Sequence, residues 1–234
     1  MIESILLFVL LLLTALARYL VYGAFEPVMF SMIFLFPVAA LVIFLISKKL
    51  ADKERAYKPK DIEAWSFYNA QKSLMIRKPL FKGNERRGYV KRYFPQKWQY
   101  ALGDILGYNW YLSLRIQIDQ DLYDVRWYRE KWFDQQDHWW IYKNGTPIGF
   151  AQTMINLKNT AKFKEAITYV IDDQTYLSSA TSISSIISLS QDDDEVGTLK
   201  RNHMLSNVQV LDVVENRPEC LVPLIVHSYY YKNK

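Results

Sequence analysis

Three histidines (His138, His203 and His227), one cysteine (Cys220) and two acidic runs (Asp172-Asp173 and Asp192-Asp193-Asp194-Glu195) are the side chains best suited to move a proton, attack a carbonyl or hold a metal. The histidines lie far apart, and none has a partner four residues away, the spacing that sets two imidazoles on one helix face for zinc. Metal binding is therefore not expected, and His138 beside Trp139 and His227 beside apolar neighbours read as structural. A lone cysteine excludes an internal disulfide framework and a cysteine-based zinc site. It reads as a small buried apolar residue and fits a reducing compartment. Four consecutive acids point alternately along an extended chain, and no EF-hand glycine or distal glutamate follows them, so they read as a solvated hairpin turn rather than a calcium loop. Asp172-Asp173 reads the same way. No nucleophile elbow, glycine-rich phosphate loop or dinucleotide fingerprint occurs, and the eight glycines are scattered. No cofactor is expected, and a binding module is favoured over an enzyme.

Cations carry the stronger signal. Residues 48 to 97 hold 15 Lys and Arg against 5 Asp and Glu, whereas residues 98 to 234 hold 13 against 17. Two groups stand out: Lys48, Lys49, Lys53 and Arg55, and then Arg86, Arg87, Lys91 and Arg92 interleaved with Tyr89, Tyr93 and Phe94. Proteins that grip single-stranded nucleic acid mix cations with stacking aromatics in this way. A membrane surface is also polyanionic, and it lies closer to these residues for the reason given next, so anionic lipid headgroups are the better-fitting partner and nucleic acid the poorer one. The plainer alternative is that the aromatics are core and the cations solvate the outer face of a sheet.

The elements that position these residues begin in lipid. Val28 to Ser47 contains no charged side chain, and a helix of that length rises roughly 30 Å, about the thickness of a bilayer's hydrocarbon core. Ile5 to Tyr22 is interrupted only by Arg18, close enough to the end to snorkel toward the headgroups. Residues 1–47 are thus expected to form a transmembrane helical hairpin. A cleaved signal peptide is disfavoured, because Met1-Ile2-Glu3 lacks a basic residue and a second apolar run follows at once. Lys48 to Lys60 directly follow the second run, which by the positive-inside rule places them, the N-terminus and the rest of the chain on the cytoplasmic side of a multi-pass cell-membrane protein. The connection Gly23 to Pro27 then faces outward. Residues 48–64 read as a basic helical or stiff stalk, and residues 65–234 as one cytoplasmic domain.

That domain is rich in strands. The stretch from Trp65 to Trp98 reads as strand. Trp110, Leu112, Leu114, Ile116 and Ile118 alternate with Asn109, Ser113, Arg115 and Gln117, and Asp119-Gln120-Asp121 turns the chain into Tyr123, Val125 and Trp127. Trp139 to Lys143 and Thr146 to Phe150 flank Asn144-Gly145, a pair that accepts the positive φ angles of a type I′ turn. A tight turn facing cytoplasm also explains Asn144-Gly145-Thr146 without glycosylation. Phe163 to Ile171 alternates again, and further strands follow from Thr175, over Val196 to Arg201 and over Val208 to Val213. Such spacing predicts an antiparallel sandwich or barrel. Cys220 to Val226 has no polar face at any period and must be buried all round. It reads as a helix capped by Asn216, with Pro218 near its start and Pro223 straining its second turn.

A meander of short hairpins ending in a wholly apolar segment resembles the tubby C-terminal-like superfamily, which includes LURP-one-related proteins and phospholipid scramblases. Trp139 to Gln152 is similar to that superfamily's strand-turn-strand unit, Glu195-Val196-Gly197-Thr198-Leu199-Lys200-Arg201 looks like a second copy, and Cys220 to Tyr230 matches its hydrophobic C-terminal helix. The resemblance covers roughly residues 137–231 and implies a closed antiparallel barrel threaded by that helix. No residue set can be transferred as a phosphoinositide site, so the resemblance bears on fold more than on activity. The resulting expectation is a membrane-anchored, non-enzymatic barrel that binds anionic headgroups or a membrane protein at the cytoplasmic face. Lys48, Lys49, Lys53, Arg55, Arg86, Arg87, Lys91 and Arg92 are its candidate ligands. The alternative is a lipid-handling enzyme or a scramblase-like lipid transporter.

Overall fold

The first apolar run folds as α1 (Ile2–Tyr22), the second as α2 (Pro27–Ile33) followed by α3 (Leu35–Arg55). The computed structural model describes residues 2–23, 26–106, 110–129, 136–154, 164–181, 186–203, 206–214 and 217–231. Ala24 and Phe25 in the connection expected to face outward, Asn109 and Phe163 in expected strands, and the expected cap Asn216 lie outside them. By length and composition both helical stretches, Ile2–Tyr22 and Pro27–Arg55, can cross a membrane. The second is broken at Phe34, because Pro37 has no N–H to donate to the carbonyl of Ile33. Phe34 sits in that break with its ring 5.7 Å from Phe8 and 5.3 Å from Phe30, where α1 and α3 pack together. Arg18 does not simply snorkel. Its guanidinium meets Glu26 at 2.6 Å across the turn of the hairpin.

Beyond α3 the chain forms twelve strands: β1 (Trp65–Tyr68), β2 (Arg77–Lys82), β3 (Glu85–Tyr93), β4 (Ser113–Ile118), β5 (Asp121–Tyr128), β6 (His138–Lys143), β7 (Thr146–Thr153), β8 (Lys164–Ile171), β9 (Gln174–Thr181), β10 (Ile187–Gln191), β11 (Asp194–Arg201) and β12 (Val208–Val213). Each pairs antiparallel with its neighbours in sequence, and β1 pairs with β12 through Trp65 and Leu211, which closes the barrel. Closure leaves no edge strand to template aggregation. Alternation does the sorting: Leu114, Ile116 and Ile118, then Tyr123 and Val125, then Trp139 and Ile141, then Ile167, Tyr169 and Ile171 all point inward and are buried.

The space they enclose is filled by a helix, α5 (Leu221–Tyr230), entered through a 3₁₀ turn at Pro218–Cys220. Every side chain from Leu221 to Tyr229 is buried, as a segment without a polar face requires. Pro223 does not strain this helix. It is the third residue of the first turn, where backbone N–H groups lack intrahelical acceptors in any case. Cys220 is buried, and burial pushes its thiol up to about 11.

The far end of the barrel is made of two-residue turns with left-handed backbone: Asn144 and Gly145 (φ 51° and 88°), Asp172 and Asp173 (48° and 63°), and Asp192 and Asp193 (49° and 71°). The acidic runs are hairpin turns, whose short polar side chains tolerate this conformation. Three hairpins also share a bulge in which one residue immediately before a glycine is unpaired. Arg87 precedes Gly88, Ile148 precedes Gly149, and Val196 precedes Gly197. At two of these glycines a Cβ would lie 1.9 Å from the Gln117 carbonyl oxygen or 1.8 Å from that of Val170, so the following strand comes too close for any side chain.

Two expectations need correcting. The region read as strand to Trp98 ends at Tyr93, and a helix, α4 (Lys97–Leu106), follows and packs against α1. The basic stalk is helix only to Arg55. Its remainder lies along the barrel wall, where Tyr57 donates to Ser66 Oγ at 3.1 Å and Gly83 N–H donates to the Ala64 carbonyl at 3.3 Å.

Candidate functional site

Strand direction gives the barrel two unlike ends. The tight turns crowd one end. The other, the mouth, receives the loop 69–76, α4, and the C-terminus of α5. The last turn of α3 docks on the mouth through a buried ion pair, with Glu54 Oε2 3.3 Å from Lys78 Nζ and both side chains fully buried. Glu54 also accepts the Gln71 N–H at 2.8 Å, while Lys78 donates to Asn69 Oδ1 and the Gln71 carbonyl, each at 2.6 Å. Lys78 lies 5.1 Å from the ring of Tyr229 in α5. Lys72 donates to the Tyr231 carbonyl at 2.6 Å, just past the end of α5, and Arg92 donates to the Trp110 carbonyl at 2.9 Å. Three cations thus surround the negative end of the central helix dipole. Burial pulls both Lys72 and Lys78 down to about 8. Repulsion from Arg201 lowers Lys72 further, and attraction to Glu54 opposes the fall at Lys78. Burial also brings Arg92 down to about 10.

Beside this polar plug lies a cleft of about 790 Å³ between α3, the loop 69–76, α4 and the meeting of β11 with β12. Its lining changes character along its length. Ile43 and Phe44, on the charge-free part of α3, line it together with Leu74, Met75 and Ile76, and Lys48, Arg55, Lys72 and Arg201 add cations to it; Asp52 lines it as well and meets Arg55 at 3.4 Å. Asn69 also lines it, and its buried Nδ2 has no hydrogen-bond partner among the described residues. A cleft with alkyl-sized apolar walls opening onto convergent cations suits a ligand with an anionic head and a hydrocarbon tail.

The eight cations singled out from sequence divide. Lys48 and Arg55 line the cleft, and Lys49 and Lys53 share their helix, with Lys53 5.6 Å from the ring of Tyr68. Lys91 lies half-buried on the barrel wall, paired in register with Arg115. Arg86 and Arg87 stand on the hairpin at the far end, a strand length of about 20 Å from the mouth. Arg87 is committed there to Asp119 and to Glu85. Arg92 points into the barrel and is 1% exposed, so it cannot meet a headgroup. Lys72 and Arg201 take their place. Lys72 stands alone between the two basic groups and Arg201 follows Lys200 on β11, and only the closing of the barrel brings them together.

Nucleophile and base chemistry does not converge on the cleft. Ser178 Oγ and His227 Nδ1 are 2.6 Å apart, but both lie inside the packed barrel and neither lines the cleft. His138 is buried against Tyr128, with ring centres 5.4 Å apart, and is structural. No group of His, Cys, Asp or Glu among the described residues could hold a metal ion.

The fold therefore defines a class: a twelve-stranded antiparallel barrel threaded by its own C-terminal helix, behind two long apolar helices. Comparison with family models, curated proteins and solved structures returns no match, and the cleft is interpreted from its own geometry.

Proposed function

We propose that the chain is a membrane-anchored, non-enzymatic module that holds an anionic phospholipid at the cytoplasmic face, with the phosphate among Lys48, Arg55, Lys72 and Arg201 and an acyl chain along Ile43, Phe44 and Met75. The observation that carries this reading is the position of the cleft, which begins on the apolar part of α3 and ends at its first basic turns, the level at which a bilayer changes from hydrocarbon to headgroup. The cations following α3 support a cytoplasmic barrel by the positive-inside rule. The helix-threaded closed barrel, together with the hairpin motifs around Asn144-Gly145 and Glu195 to Arg201, supports kinship with tubby-like proteins as part of the proposal.

Full-length protein in nanodiscs of neutral lipid doped with phosphatidylglycerol should retain the anionic lipid through delipidation in preference to the neutral one, by roughly tenfold for a difference of about 1.4 kcal/mol. Lys48→Glu with Arg55→Glu should abolish that preference, and Arg86→Glu at the far end should not change it. Equal retention of both lipids by the wild type would refute the reading. Scrambling of a fluorescent lipid by the same protein in vesicles should be absent, and its presence would favour a transporter.

A further inference from the structure

We propose that the mouth of the barrel is itself a membrane-contacting surface, with α4, the loop 69–76 and the strand ends at Met154 and Ile186 seated in the interfacial layer of the bilayer that holds the anchor. Large apolar side chains left exposed on the barrel domain gather at this end. Met75 stands on the loop 69–76; Trp98, Tyr100 and Leu102 on α4; Met154 just past β7; and Ile186 just before β10. Their exposure runs from 37% to 51%, values normal for isolated surface residues but not for a set collected on one rim. Other exposed apolar residues, Leu122, Trp140, Leu177 and Val214, are spread over the wall and the far end.

Continuity with the anchor fixes the partner as lipid. α4 packs against α1, and Leu74 to Ile76 share the cleft with Ile43 and Phe44, so the rim meets the apolar helices at the height where they leave the hydrocarbon. A short helix offering tryptophan, tyrosine and leucine at that height has the composition of an interfacial helix. The charge distribution agrees. Arg87 pairs with Asp119 and Lys143 with Asp121 at the far end, but Asp172, Asp173 and Asp192 to Glu195 add further acids there, where they would be farthest from an anionic leaflet.

This inference rests on the membrane-anchored part of the function proposed above, and not on headgroup recognition, so the test uses neutral lipid only. Single cysteines at Met75→Cys, Leu102→Cys and Ile186→Cys, at the far-end site Asn84→Cys, and at Leu13→Cys in α1 are labelled with an environment-sensitive fluorophore in full-length protein in phosphatidylcholine nanodiscs. Cys220 is buried and stays unlabelled in the folded protein. The three rim labels should be quenched several-fold more strongly than the Asn84 label by lipids spin-labelled near the headgroup end of the chain, and should be protected from aqueous iodide. Rim labels that behave like the Asn84 label while the Leu13 label is quenched would overturn the seating and leave the anchor standing. A Leu13 label, midway along α1, that lipids spin-labelled near the methyl end of the chain do not quench would overturn both. Preferential retention of phosphatidylglycerol is measured separately and can fail without affecting this result.

Discussion

The most consequential single residues are two buried charges. Lys78→Met would leave the Glu54 carboxylate without its cation in a dry site, and should cost about 3–5 kcal/mol of stability. The double variant Glu54→Leu with Lys78→Met should recover most of that loss, as thermal unfolding of the full-length protein in detergent would show. His227 makes a second prediction. Burial holds its imidazole neutral and lowers it to about 3, against an ordinary 6.5. An unfolded chain takes up a proton below pH 6.5 and the folded core does not, so stability is unaffected above that value and falls by roughly 1 kcal/mol per pH unit as pH drops toward 3. His227→Gln, which does not titrate, should flatten this part of the stability–pH curve relative to wild type. His227 was legible as a structural residue from its apolar neighbours, but the burial of Lys78 was not. Around Arg77-Lys78 and Lys91-Arg92 both parities of the strand carry charge, so alternation cannot say which side faces in; the burial of Leu80 and Val90 on the same side as Lys78 and Arg92 decides it. The turn residues were legible, because Asn-Gly and Asp-Asp pairs act through their own backbone preferences and need no distant partner.

At the scale of elements, the recurring bulge ahead of Gly88, Gly149 and Gly197 marks three related hairpins within one barrel, each glycine four residues after the second residue of its turn. The sequence shows two of them through Asn144-Gly145 and Glu195 to Arg201. The third, at Gly83-Asn84, is obscured by the basic run that follows it. Gly149→Ala should destabilise the protein by on the order of 3 kcal/mol, since its methyl group would meet the Val170 carbonyl, and guanidinium unfolding would measure it. Elements whose period is local were legible: both apolar runs, the strands β4 to β8, and the all-apolar helix α5. Those set by partners were not. α4 interrupts a strand-like pattern where the chain leaves the barrel wall and packs against α1, a partner distant in the sequence. The break at Phe34 needed Pro37 to be weighed inside a run whose hydropathy is uniform. Pro223 was misread because the helix start was placed too early; in the first turn a proline removes no intrahelical bond.

The whole molecule is polarised. Cations and apolar rim residues share the mouth with the two long apolar helices, and acidic turns cap the opposite end. The charge imbalance along the chain made half of this legible, but it also gathered Arg86 and Arg87 with the juxtamembrane lysines, because proximity in sequence is not proximity across a barrel wall. The proposed cytoplasmic orientation predicts that Asp193→Cys, at the far end, reacts in cells with a membrane-impermeant maleimide only after permeabilisation. Labelling of intact cells would invert the orientation. One more consequence follows from the order in which the barrel is assembled. Its seam joins β1 to β12, the two strands farthest apart in the sequence, and the helix that fills it comes after all twelve. During synthesis the wall therefore emerges with nothing to close around, after the two long apolar helices that precede it. If those helices anchor the chain as proposed, the wall is held at the bilayer until Leu221 to Tyr230 arrive to fill it.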